Sequence, residues 1–85
     1  MKIIRITATW CPACLITNKH WNKINKDGEI EFVDYDYDFD EELVDQYQVS
    51  DILPVAIAIK DGKEIARLIG EKNEKEIREF IANIN

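Results

Sequence analysis

The sequence predicts one α/β domain over residues 1–85, a four-stranded mixed sheet flanked by three helices in the order βαβ, α, ββ hairpin, α. Three observations predict it. Short runs rich in β-branched residues alternate with longer segments of helical periodicity. The run Val55–Ile59 (VAIAI) is apolar enough for a strand covered on both faces. An Asp-Gly pair then separates it from the next strand, which is the strongest short-range signal for a hairpin.

The elements follow in chain order. Lys2–Ala8 (KIIRITA) is rich in β-branched residues and too short for an independent helix, so it opens the domain as a strand. Pro12 stands at the first helical position, where its missing N–H is harmless, and Ala13–Lys26 contains no breaker before Asp27-Gly28. At about 100° per residue, Ala13, Cys14, Ile16, Thr17, His20, Trp21 and Ile24 gather on one face of this helix and should meet the sheet. Trp21 reads as core and His20 as a packed imidazole. Ile30–Tyr35 resumes strand chemistry, and the acidic stretch Asp38–Glu42 offers N-caps to a short helix carrying Leu43, Val44 and Tyr47. Pro54 is admissible at the head of the VAIAI strand, the best candidate for a central one. Glu64–Ile69 returns antiparallel to it. Asn73 and Glu76 form a capping arrangement, after which Ile77, Phe80, Ile81 and Ile84 fall at helical spacing.

Composition bounds the function. A chain of 85 residues holds one small core. Its 17 acidic residues against 11 basic ones, a formal charge of −6, oppose binding to a phosphate backbone. No apolar run approaches the roughly 20 residues that cross a bilayer, and no signal-like segment follows Lys2, which predicts a cytoplasmic protein without a membrane partner. The alternation Asp34–Asp40 suggests calcium only superficially, because an EF-hand loop starting at Asp34 would need glycine and glutamate where Phe39 and Asp45 stand.

The two cysteines, Cys11 and Cys14, need a chemical reason, since a bridge closing so short a loop would constrain the unfolded chain very little. They lie in Trp10-Cys11-Pro12-Ala13-Cys14, where the first strand gives way to the first helix. With Cys11 as N-cap, the amides of Ala13 and Cys14 should point at its sulfur and the helix dipole should add positive charge there. Both favour the thiolate, the species that attacks a disulfide. Cys14, one turn on, is placed to attack the resulting mixed disulfide. Cys11 is therefore the expected nucleophile and Cys14 the resolving thiol. A closed zinc site wants four ligands, and two Cys and one His do not supply them. The redox group is the Cys11–Cys14 pair itself, with no metal and no other cofactor expected.

With these residues in this order, the whole chain resembles a minimal member of the thioredoxin-fold family. The resemblance rests on Trp10–Cys14 after the first strand, Pro54 opening the central antiparallel strand, the Asp61-Gly62 hairpin and Gly70 before the last helix. It implies that Pro54 is cis and that Leu53 and Pro54 form a wall facing Cys11. It also implies that Trp10 contacts partners, that the substrates are disulfide-containing proteins, and that a thioredoxin-reductase-type or glutathione system re-reduces the chain. Leu15, immediately after the motif on the lysine-bearing side of its helix, is expected to join Trp10, Pro12 and Leu53 in a small apolar docking surface that excludes water around a mixed disulfide, and the chain is expected to be a monomer. The chain departs from the family at several places. Arg5 stands where thioredoxins keep a buried acid, and its charge would favour the thiolate if it pointed beneath the motif. Gly70-Glu71-Lys72 replaces the pattern with which glutaredoxins hold glutathione, Val49–Pro54 is one residue longer than usual, and Val55 stands where Thr is frequent. The neighbouring activities are a glutathione-linked reductase and an electron donor to ribonucleotide reductase. Outside catalysis, the alternative is a thiol metal-binding or redox-sensing module.

Overall fold

A computed structural model describes residues 1–84; Asn85, the last residue of the expected domain, lies outside them. The elements are β1 (Lys2–Thr7), α1 (Pro12–Ile24), β2 (Glu31–Asp36), α2 (Glu41–Gln46), β3 (Val55–Lys60), β4 (Lys63–Ile69) and α3 (Glu74–Ile84). The sheet order is β2-β1-β3-β4. β1 runs parallel to β2 and antiparallel to β3, and β3 pairs antiparallel with β4. Both strands richest in Ile, Val and Ala therefore occupy the centre, as their apolar density requires.

Alternation along the central strands supplies two cores. Ile4, Ile6, Val55 and Ile57 pack with Val44 of α2 on one face, and Ile3, Ala56 and Ala58 pack with Trp21 of α1 and Ile77 of α3 on the other. Phe32 and Phe80 meet the Trp21 ring edge-on at centroid distances of 5.8 and 6.4 Å, within the range that favours T-shaped aromatic pairs. The sheet is thus covered on both sides, and its edge strands β2 and β4 remain half-exposed. No helix among the described residues is long and apolar enough to cross a membrane.

The termini of the elements follow local chemistry. Asn73 and Glu76 form the reciprocal capping box, with the Glu76 N–H donating to Asn73 Oδ1 at 2.8 Å and the Asn73 N–H to Glu76 Oε1 at 3.2 Å. Asp61 and Gly62 both adopt positive φ, 54° and 77°, as the tight hairpin requires. Asp40 takes the N-cap position of α2 but makes no cap bond there; its carboxylate instead accepts the Asp36 N–H at 2.8 Å. The stripe of α1 that meets the sheet is narrower than expected. Cys14, Thr17 and Trp21 are buried, whereas Ile16 is exposed and Ala13, His20 and Ile24 are half-buried. The buried three are spaced i, i+3, i+7, a single seam, so residues to either side of it meet solvent.

Candidate active site

β1 ends at Thr7, and the chain turns through Ala8–Trp10 before α1 begins. The Cys11 N–H donates to the Ala8 carbonyl at 3.2 Å, closing the turn. Cys11 is the N-cap, in extended conformation (φ −105°, ψ 101°), with Pro12 at the first helical position. Its sulfur accepts the Cys14 N–H at 3.2 Å. The Ala13 amide, expected to share this role, makes no such bond: one sulfur acceptor here reaches the third amide of the first turn rather than the second.

The two thiols occupy unlike surroundings. Both are free; Cys11 is half-exposed, while Cys14 keeps only 3% of its surface and belongs to the α2-side core with Ile4, Ile6, Ala8 and Leu53. Burial pushes the Cys14 thiol up to about 12, assisted by its hydrogen bond with Cys11 and opposed by a backbone hydrogen bond at Ala8. At neutral pH Cys14 is therefore a protonated thiol behind an accessible one.

An open groove of about 400 Å³ passes over the pair, lined among others by Thr7, Trp10, Cys11, Pro12, Cys14 and Leu15. Trp10 is 59% exposed and Leu15 65%, so both expected docking residues stand beside Cys11. The Trp10 ring is fixed from the next loop. Its indole N–H donates to Asp38 Oδ2 at 2.7 Å, and Tyr37 meets it edge-on at 6.4 Å.

Leu53 and Pro54 divide the role given them. The peptide bond between them is cis. Leu53 packs into the core that holds Cys14 and against which Cys11 rests. It is only 8% exposed, however, and cannot belong to a docking surface; the neighbouring Ile52, 57% exposed, is the residue that projects. Pro54 is buried and lines a narrow crevice with Arg5, Thr17 and Asn18 instead of the groove over Cys11. Its carbonyl accepts the Gly70 N–H at 2.8 Å, which ties β3 to the approach of α3.

Arg5 is committed to partners other than the thiols. Its guanidinium is bidentate to Asp34 at 2.6 and 2.9 Å, donates to Asn22 Oδ1 at 2.9 Å and lies 3.9 Å from the Phe32 ring centroid. A buried cation needs a partner charge and filled hydrogen bonds; Asp34 of β2 supplies the charge, and Asp34 and Asn22 of α1 accept the bonds. Asp38 and Ile52 were not singled out from the sequence. The signal for Asp38 was the Asp-x-Asp alternation, whose carboxylates bond local amides: Asp36 Oδ1 accepts the N–H groups of Asp38 and Phe39 at 2.8 and 3.0 Å.

A mixed four-stranded sheet with two helices on one face, and a Cys-x-x-Cys pair opening a helix at the end of a central strand, defines the class of dithiol domains built on the thioredoxin fold. The thioredoxin family model matches residues 1–83, and the chain belongs to that family. It is similar to the thioredoxin of Fasciola hepatica, at 34% identity and a TM-score of 0.85 over 96% of this chain and 78% of that one. Mitochondrial thioredoxin 3 of Saccharomyces cerevisiae gives 26% and 0.83, over 96% of this chain and 76% of that one. Mitochondrial thioredoxin of Mus musculus is 26% identical over 84 residues, 96% of this chain and 50% of that protein. The chain thus spans about half the length of the curated relatives it matches.

Proposed function

We propose that this chain is a thiol–disulfide oxidoreductase that reduces protein disulfides. The carrying observation is the asymmetry of its dithiol: an accessible Cys11 sulfur holding a helix N-terminal amide, and a buried, protonated Cys14 one turn behind it. In the reaction, the Cys11 thiolate attacks one sulfur of the substrate disulfide. That S–S bond breaks, and the departing substrate sulfur takes a proton from solvent. Cys14 then gives up its proton and attacks Cys11 Sγ, so the mixed disulfide breaks and the second substrate sulfur leaves and is protonated. Two electrons pass to the substrate, and the chain is left with a Cys11–Cys14 disulfide. A reductase system must return them, and we propose the thioredoxin-reductase type, since Gly70-Glu71-Lys72 departs from the glutathione-holding pattern. The redox group is internal, and we propose no added cofactor. A monomer working in the cytoplasm is in keeping with this reading, because thiols are kept reduced there.

Two experiments test it. A Cys14→Ser chain incubated with a disulfide-bonded protein should accumulate an adduct linked through Cys11 and released by dithiothreitol; no adduct with any disulfide protein would overturn the reading. An equilibrium titration should place the pair near about −270 mV or lower, whereas roughly −200 to −230 mV is the glutaredoxin range and would turn the assignment toward glutathione-linked chemistry.

A further inference from the structure

The charge of this chain is divided along the sequence. Between Lys26 and Lys60 lie 11 of the 17 acidic residues and none of the 11 basic ones, a stretch that forms β2, α2 and β3. The remainder of the chain is net positive. One acidic loop of that stretch stands beside the loop that carries the dithiol. Because Thr7 of β1 pairs with Asp36 of β2, the loop carrying Trp10 and the loop Tyr37–Asp40 leave the sheet side by side, joined by the Trp10–Asp38 hydrogen bond.

At the tip of that second loop Phe39 is 83% exposed, the largest exposure of any large apolar side chain in the described residues. The loop does not leave it loose. Asp36 Oδ1 accepts the Phe39 N–H at 3.0 Å and the Asp38 N–H at 2.8 Å, and Asp40 Oδ2 accepts the Asp36 N–H at 2.8 Å. A phenyl ring held outward by an ordered backbone, with Leu43 also exposed across a groove of about 380 Å³, is an apolar contact without an internal partner. Around it stand Asp38, Asp40, Glu41 and Glu42, and none of these carboxylates enters an ion pair among the described residues.

We infer that this rim, with Phe39 as anchor and Asp38–Glu42 as its charged frame, docks a cationic segment of the disulfide-bearing protein and so sets which substrates reach Cys11. The inference rests on the oxidoreductase reading. Two features argue for a basic partner over an acidic or neutral one. Complementary charge raises encounter rates and suppresses like-charged competitors. The frame is also continuous with the exchange site through Asp38 and Trp10, so a segment seated there lies beside the attacking sulfur.

The experiment compares three probes with the dithiothreitol-reduced full chain: hydroxyethyl disulfide, and two peptides with the same internal disulfide, flanked by lysines and a leucine or by glutamates and a leucine. At about 20 mM salt the lysine peptide should exceed the glutamate peptide at least about tenfold in kcat/KM, and at about 0.5 M the ratio should fall toward unity. A chain carrying E41Q and E42Q should cut that ratio to about threefold. F39S, with a circular dichroism spectrum matching the parent, should lower kcat/KM for the lysine peptide about fivefold relative to hydroxyethyl disulfide. Equal rates for the two peptides, or a ratio untouched by these variants, overturns the docking rim while leaving the oxidoreductase intact. Reduction of none of the three probes overturns the oxidoreductase reading itself.

Discussion

The sheet face under α1 and α3 and the rim at the ends of β1 and β2 use apolar residues in opposite ways. Under the helices, Ile3, Trp21, Ala58 and Ile77 are wholly or almost wholly buried, and each is held by packing from several elements. At the rim, Trp10, Leu15 and Phe39 are left in water, and the loops that carry Trp10 and Phe39 are ordered by polar bonds instead: Trp10 to Asp38, and Asp36 and Asp40 to the backbone of the turn. Stability and exchange chemistry therefore live on different residues. Cys11 lies half-exposed beside the rim, and Cys14 is buried behind it in the other core, on the α2 side of the sheet.

The sharpest way to test that separation is to remove one function at a time. Cys11→Ser should abolish disulfide exchange, a loss of at least about a thousandfold in kcat/KM, with little change in thermal stability, because a half-exposed serine can still cap α1. Ile77→Ala should do the reverse. Deleting the buried side chain from the α1–α3 face costs about 2–5 kcal/mol, a large part of the stability of a domain this size. Urea unfolding should show it, while exchange measured on the folded fraction stays near the parent rate. A large activity loss per folded molecule in Ile77→Ala would show that the two regions are coupled after all.

Cys14 is both a buried side chain of the α2-side core and a member of the dithiol pair, and pH separates those roles. Its thiol is raised to about 12 from an unfolded value of 9.0, so the folded chain holds this proton more tightly than the unfolded one. The stability this contributes is complete below pH 9 and is lost as pH rises from about 9 through 12. The urea midpoint of the reduced chain should accordingly fall in that window by more than that of Cys14→Ala, which has no proton to lose. Equal falls would place the alkaline loss on other groups. At pH 7 the same difference in environment predicts that iodoacetamide modifies Cys11 and spares Cys14, read by mass spectrometry of the folded chain.

What was legible in the sequence was local. The hairpin at Asp61-Gly62, the capping box at Asn73–Glu76, Pro12 at the head of α1 and the cysteine N-cap each depend on residues within a few positions of one another, and each is present. The central strands were legible because VAIAI is apolar on both faces. What was not legible required partners far along the chain. Arg5 is drawn from the thiols by Asp34, which is 29 residues away, and Trp10 is set by Asp38, which is 28 residues away. Leu53 turns inward and Ile52 outward, against the docking role expected of Leu53, because the segment before Pro54 has no period, so nothing local says which of two adjacent apolar residues is buried.

The smallest effect concerns Leu15, and it bears on whether the apolar rim continues along α1. Leu15 is 65% exposed and lines the groove over Cys11 with Thr7, Trp10, Pro12 and Asn18, a groove to which the acidic loop contributes no lining residue. Leu15→Gln removes apolar contact without adding charge and replaces one good helix former with another, so α1 should persist. If an incoming polypeptide covers this side of the groove as well as the Trp10 side, the variant should lose about twofold to fivefold in kcat/KM on a protein disulfide, and lose less on hydroxyethyl disulfide, which is too small to span it. Leu15→Glu should lose more on the protein substrate than Leu15→Gln, since a charge cannot be buried against the partner without a counter-ion. Parent rates in both variants would confine docking to the Trp10–Phe39 side. Leu15 would then be an ordinary exposed leucine, and the functional rim would be one-sided.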